Sequence, residues 1–237
     1  MCRMRERIGR TATPMPSIQV LGRLLQFGSA NLPVGAFSYS EGLETLVQQG
    51  LLSSSRELQQ WLSEQLDFGP IRVEAAILWR MHAAAVAQQE EVLAYWDAWL
   101  AASRESEELL LQNRQMARAL WRLLRELTDA ETRIGERAPS QYATAFAVSS
   151  AWAGIPVAEA VFTYVHSWLA NLIVAGVRLI PLGQSAGQKL LWEMQDALEV
   201  LLDFAQNADE SELYAWNCGV ALASMQHEEL YSRLYRS

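Results

Sequence analysis

Ile71-Arg72-Val73-Glu74-Ala75-Ala76-Ile77-Leu78-Trp79-Arg80 opens the stretch that decides the fold. From Pro70 to Gly135 the chain runs for more than sixty residues without another glycine or proline. Apolar residues recur there at helical rather than alternating spacing, so the stretch reads as helix after helix. Beyond Ser103, Leu109, Met116, Leu120, Leu123 and Leu127 step by seven, four, three and four, which lays them along one stripe of a helix.

Outward from that stretch, start signals punctuate the chain. Ser54 with Glu57, Thr128 with Glu131, Ser185 with Gln188 and Asp209 with Glu212 have the spacing of a helix N-cap and its third residue. Pro70, Pro139 and Pro156 suit a first helical turn, where the missing N–H costs nothing. Runs of β-branched residues alternating with turn pairs are not found, so no significant sheet is expected. The predicted architecture is all-α, a single domain of about nine or ten helices. Residues 1–17 read as a disordered leader, 18–226 as the helical domain and 227–237 as a C-terminal partner-binding tail. Ala160 to Val177 holds eighteen residues without a formal charge, close to the length of a membrane span. Glu159, His166, Asn171 and Arg178 punctuate it or its ends, and the central helix of an all-α domain is equally apolar all round, so a buried core helix is expected.

The composition is that of a globular protein, 51% apolar against 19% charged over 237 residues. The net charge of -8 argues against a nucleic-acid binder, which needs a basic footprint to displace counterions from phosphate. Lys189 is the single lysine among 19 basic residues. Few cysteines beside nine tryptophans suit a reduced, cytoplasmic protein, and no disulfide between Cys2 and Cys218 is expected. Arg3, Arg5, Arg7 and Arg10 carry no apolar core of secretory length, and Glu6, Pro14 and Pro16 break the amphipathic helix of a mitochondrial presequence. No membrane attachment is expected.

Chemistry-bearing motifs are incomplete. Gly183-Gln184-Ser185-Ala186-Gly187-Gln188-Lys189-Leu190 resembles a P-loop but lacks the strand, the Gly-Lys step and the hydroxyl, so a loop-to-helix cap is the expected role. His82, His166 and His227 are far apart and none has a ligand neighbour at metal-binding spacing. His166 reads as a core histidine, and His227, followed by Glu228 and Glu229, as at most an exposed weak metal contact. Ser38 and Ser40 lack a nucleophile elbow. No catalytic residue, metal site or cofactor is predicted.

Three features stand apart from packing. The loop Gly28 to Gly42 embeds Leu32, Val34, Phe37 and Tyr39 among turn residues; such side chains plug the domain's own core, the leading reading, or meet another protein. Arg114, Arg118, Arg122 and Arg125 form a row opposite the leucine stripe, and Arg114 and Arg118 have no acid at i+4; a solvated face is the default, an acidic partner the alternative. At the C-terminus, Leu230, Tyr231, Leu234 and Tyr235 would form one apolar face of a helical turn and a half, flanked by Arg233 and Arg236. Chain ends are usually polar, so this composition favours partner binding over self-docking.

These regions carry a resemblance to the urease accessory protein F (UreF) family. The matching text is Leu32-Pro33-Val34-Gly35-Ala36-Phe37-Ser38-Tyr39-Ser40 with Gly42-Leu43-Glu44, then Arg104-Glu105 and Asn171. It continues through Arg178-Leu179-Ile180-Pro181-Leu182-Gly183-Gln184, Gly187-Gln188, His227-Glu228, Tyr231-Ser232-Arg233-Leu234 and Arg236-Ser237. The resemblance spans from about residue 20 to the end, in consistent order. It implies an all-helical, cytoplasmic, non-enzymatic protein that forms a homodimer. Its implied partners are urease accessory protein D (H in some organisms), the GTPase urease accessory protein G and the urease apoprotein. Together they would form a GTP-dependent chaperone that inserts nickel into urease.

By the same resemblance, His227, Glu228, Tyr231, Ser232, Arg233, Leu234, Tyr235 and Arg236 would engage accessory protein D. Pro33, Gly35, Phe37, Ser38, Tyr39, Arg178, Pro181, Gln184 and Gln188 would shape the dimer or the GTPase-facing surface. The sequence departs from the family where Ala30-Asn31 replaces a frequent Ser-Pro, where Leu109-Leu110-Leu111-Gln112-Asn113 replaces a more charged helix, and where Tyr235 replaces a common Phe. A second reading has the protein act directly on GTP hydrolysis with an arginine finger from Arg114 to Arg125 or from Arg178, an effect of roughly 10³ to 10⁵. A nickel carrier is the weakest reading.

Overall fold

The computed structural model describes residues 17–128, 138–215 and 218–236. Its helices are α1 (Ile18–Phe27), α2 (Leu43–Gln48), α3 (Ser55–Phe68), α4 (Pro70–Val86), α5 (Glu90–Ala102) and α6 (Glu107–Leu127), followed by α7 (Tyr142–Trp152), α8 (Val157–Leu179), α9 (Gln184–Glu193), α10 (Gln195–Asn207) and α11 (Cys218–His227). No strand occurs among the described residues, as expected, and the eleven α-helices there slightly exceed the nine or ten predicted. The stretch free of glycine and proline becomes α4, α5 and α6. With no glycine available, the first break uses Gln88 at φ 56°. The second uses Ser106, whose hydroxyl accepts from Leu109 N at 3.2 Å and caps α6.

Helix α4 is the hub because it is apolar on nearly every side. Ala75, Ala76, Ile77, Leu78 and Met81 are fully buried, and α4 packs on α3, α5, α7, α8 and α10. Helix α7, which packs on α4, α6 and α8, buries Ala143, Ala145, Ala147, Ser149 and Ser150, and small residues let helix backbones approach closely. Phe146 fills the centre, edge-on to Phe27, Tyr142 and Tyr164. Burying each such side chain contributes about 1.5–3 kcal/mol, so the aromatic centre dominates local stability.

Helix α8 is long and apolar enough to cross a membrane by length and composition alone. More than half of that span is buried, and it packs on α1, α2, α3, α4, α7, α9 and α10. It is the core helix the sequence suggested.

Local signals fared unevenly. Ser54 caps α3 by accepting from Glu57 N at 3.3 Å, and Asp209 with Glu212 forms a full capping box on a short 3₁₀ turn, both as predicted. Pro70 occupies the first turn of α4, as predicted. Pro156 is instead the N-cap of α8, and Pro139 precedes Gln141, the N-cap of α7. Ser185 lies within the first turn of α9, whose N-cap is Gly183. Thr128 is the C-cap of α6; the helix start expected there, with Glu131, lies outside the described residues, as do residues 1–16 of the expected leader and the side chains of Cys2 and Cys218. Ser17 caps α1 by accepting from Val20 N at 3.3 Å.

The stripe on α6 also turns out differently. Leu127 is exposed and Leu123 half-buried, while the buried face is Leu109, Gln112, Asn113, Met116, Ala117, Leu120, Trp121 and Leu124. Two polar residues, Gln112 and Asn113, face inward because buried polar partners await them.

Gly42 shows how tightly the 28–42 loop fixes the helices around it. It has φ 84°, and an added Cβ would stand 2.9 Å from Ala223 Cβ and 3.1 Å from Ser224 N of α11. Backbone strain and overpacking add. Gly42→Ala is expected to lower stability by about 2–4 kcal/mol, read as a drop in the urea midpoint at unchanged slope.

Candidate functional site

Glu44, in the first turn of α2, gathers the chain's end. One carboxylate oxygen accepts from Leu234 N at 2.7 Å, and the other from Tyr235 N at 3.0 Å. That second oxygen also stands 3.0 Å from His227 Nε2. His227 closes α11 and is fully buried. Its Nδ1 lies 3.2 Å from Glu108 Oε2, at the start of α6, and Arg233 reaches the same carboxylate at 3.4 Å. The ring is thus set between two carboxylates; a neutral imidazole has one N–H and a protonated one has two, so only the protonated form donates to both. Burial pushes the Glu108 carboxyl above the ordinary range, with His227 opposing.

The tail is therefore fastened to the domain, and not as a helix. The backbone N–H groups of Leu234 and Tyr235 are taken by a distant carboxylate, so they are unavailable to a helical ladder. The expected single apolar face from Leu230 to Tyr235 is split. Tyr235 turns inward and is buried, while Tyr231 is fully exposed and Leu234 66% exposed. Glu228, Ser232, Arg233 and Arg236 are exposed. Ser232 O accepts from Gln48 Nε2 at 3.1 Å, and Arg236 N donates to Ser38 O at 2.8 Å. His227, expected at the surface, is the inner peg of this arrangement.

The loop from Gly28 to Gly42 packs into the domain's own core, the leading expectation, and leaves Phe37 outside it. Leu32, Val34 and Tyr39 are buried, and Tyr39 OH donates to Gln115 Oε1 at 2.8 Å. Phe37 is 60% exposed, on a 3₁₀ turn that Gly35 initiates at φ 76°. Pro33 is exposed and Ser38 half-buried. Arg178, Pro181, Gln184 and Gln188 are exposed where α8 passes into α9. Burial raises the Tyr235 phenol above its ordinary value and Arg178, beside it, opposes this, which places the end of α8 next to the tail. Sequence positions from both predicted groups are thereby brought together at Ser38 with Arg236 and at Arg178 with Tyr235.

A buried polar network behind the loop was not read from the sequence. Arg104, in the turn between α5 and α6, pairs with Glu74 of α4 and donates to Gln141 Oε1 at 3.2 Å and Asn113 Oδ1 at 3.1 Å. Tyr164 OH donates to Glu74 at 2.5 Å. Burial alone would pull the Arg104 guanidinium down, but the neighbouring Glu74 charge and hydrogen bond leave it above its ordinary value. Asp97 of α5 accepts from Ser140 Oγ at 2.7 Å and Gln141 N at 2.9 Å, fixing the start of α7. Glu41, at φ 51°, accepts from Gln112 at 2.9 Å and from Trp168 Nε1 at 2.8 Å. A cavity of about 70 Å³ lies among Glu41, Glu74, Arg104, Gln112, Tyr164 and Trp168, too small for a nucleotide or organic cofactor. Arg104-Glu105 was visible as a motif; two of its partners, Glu74 and Gln141, are 30 and 37 residues away in the chain.

Burial raises the Glu41 carboxyl, with the Trp168 hydrogen bond opposing and Glu74 reinforcing. A carboxyl raised on folding binds its proton more tightly in the native state, so ionising it costs stability as pH climbs from the unfolded value of about 4.5 through the folded one. Glu41→Gln removes that cost. The stability of the variant relative to wild type is expected to rise between pH 4 and pH 8, checked by urea midpoints across that range.

The chain is similar to known proteins over most of its length. A family model described as UreF matches residues 52–195. The protein named urease accessory protein UreF from Microcystis aeruginosa is 49% identical over 215 residues, covering 90% of this chain and 96% of that one. Those of the same name from a Nostoc species and from Trichormus variabilis are 46% and 45% identical over 218 residues, each covering 90% of this chain and 94% of theirs. An all-helical chain, matched along nearly its whole length by these relatives, belongs to the UreF family of urease accessory proteins.

Proposed function

We propose that this chain serves urease maturation as a non-catalytic scaffold. With urease accessory protein D (or H) and the GTPase accessory protein G it would form a GTP-dependent chaperone that inserts nickel into the urease apoprotein in the cytoplasm. The observation that carries the reading is the tail, which Glu44 and His227 hold rigidly from within while Tyr231 and Leu234 face outward. Exposed aromatic and leucine anchors on a preorganised backbone lower the ordering cost of association. A homodimer is part of the proposal. Ile18, Leu21 and Leu25, at i, i+3 and i+7, leave the outer face of α1 apolar and exposed, which suits a symmetric contact. The scaffold would bias the GTPase between nucleotide states by contacting one state better than the other, which requires no metal or nucleotide of its own.

Deletion of residues 228–237 is expected to abolish pull-down of accessory protein D, and Tyr231→Ala with Leu234→Ala to weaken it at least tenfold while the domain stays folded. Undiminished pull-down by the doubly substituted protein would remove the tail from the interface.

A further inference from the structure

Helix α6 turns a second, differently built face outward. Its inner side packs on α7 and α11, while Leu111, Arg114, Arg118, Arg122 and Arg125 are all exposed. Their spacing of three, four, four and three keeps them on one stripe, and Arg114 to Arg125 covers about 16 Å of helix axis. None of the four arginines forms an ion pair with a described residue, and Glu126, four positions after Arg122, is not joined to it. In a chain of net charge -8, four neighbouring arginines with no ion-pair partner among the described residues are a local reversal of sign.

We propose that this stripe docks a protein partner presenting a matching row of carboxylates, distinct from whatever occupies the tail. Guanidinium groups form planar, two-pronged bonds to carboxylates and lose little hydration in doing so, which suits a protein contact better than diffuse attraction. A second copy of this chain does not fit. A two-fold contact along this face would bring Arg118 and Arg122 against their own counterparts, and like charges in register are costly. Polyanions fit poorly, because the remainder of the molecule repels nucleic acid or an anionic membrane once it extends beyond the stripe. Leu111, at one end of the row and 44% exposed, offers apolar area that contact would remove from water.

The test uses a helical 21-residue peptide with Glu at positions spaced four, four and three apart, a Gln control, and a Lys counterpart, measured by fluorescence anisotropy with the full chain. The Glu peptide is expected to bind at least about fivefold more tightly than the Gln control in 50 mM NaCl, an advantage lost in 300 mM NaCl. Arg118→Glu with Arg122→Glu should lose the Glu peptide and gain the Lys peptide; both substituted side chains are exposed, and circular dichroism verifies the fold. Equal binding of Glu and Gln peptides, or tighter binding of a 20-base-pair duplex or of phosphatidylserine vesicles, would overturn the proposal. None of these outcomes depends on the tail or on accessory protein D.

Discussion

Arg104→Ala is expected to lower folding stability by about 3–5 kcal/mol, enough to unfold much of a protein whose total is about 5–15 kcal/mol. The magnitude comes from what is left behind. Among the described residues, Glu74 in the middle of the hub helix keeps only Tyr164 as a donor once the guanidinium is gone, so a buried carboxylate loses its counter-charge. Gln141 and Asn113 lose their shared donor at the same time, which loosens the start of α7 and the inward face of α6. Two further variants separate charge from geometry. Arg104→Lys retains the charge but lacks the fork that reaches three partners, and should fall between wild type and alanine. Arg104→Met with Glu74→Gln removes both charges and should recover part of the loss. Urea midpoints for the set test this; an alanine variant within 1 kcal/mol of wild type would show that the network does not hold these helices together.

Glu44→Ala should release the tail. It removes the acceptor for Leu234 N and Tyr235 N and leaves His227 with Glu108 alone. Orphaning buried donors costs about 1–3 kcal/mol each, so detachment of residues 228–236 is the cheaper outcome: the donors then bond to water. Trypsin provides the readout. The bond after Arg233, one residue before the grip of Glu44, should be cleaved at least ten times faster in the variant, while the helical domain stays intact. Glu44→Gln retains one acceptor oxygen and should be intermediate. Because Glu44 is buried it does not itself meet a partner, and its substitution would reach partner binding through the tail and the His227 peg it holds. Weakened binding of accessory protein D by Glu44→Ala, with no change in its contact side chains, would tie that binding to the fastening.

The fold was legible because its evidence is local. A gap of more than sixty residues between glycine or proline punctuation, the Ser54 cap and the Asp209 box each involve neighbours in sequence, and each appears as read. Pro139 and Ser185 were misplaced by one to a few residues because a cap signal constrains a helix start only when nothing tertiary shifts it. The tail was legible in composition and not in geometry. Nothing near Leu234 shows that its N–H will be claimed by Glu44, 190 residues away. The same distance problem hid Glu74 on α4 and Gln141 before α7 as partners of Arg104. Inward-facing Gln112 and Asn113 look like interruptions of a leucine stripe until those partners are known.

If this chain supports urease maturation by holding other proteins, nickel in urease reports it most directly. The urease gene set, lacking its own UreF member, is expressed with this chain, with the Tyr231→Ala and Leu234→Ala variant, or with no addition. Nickel per urease active site is then measured on the purified enzyme. Near-full occupancy is expected with the wild-type chain, and little above background with the variant and the empty control. Equal nickel content in all three would contradict it.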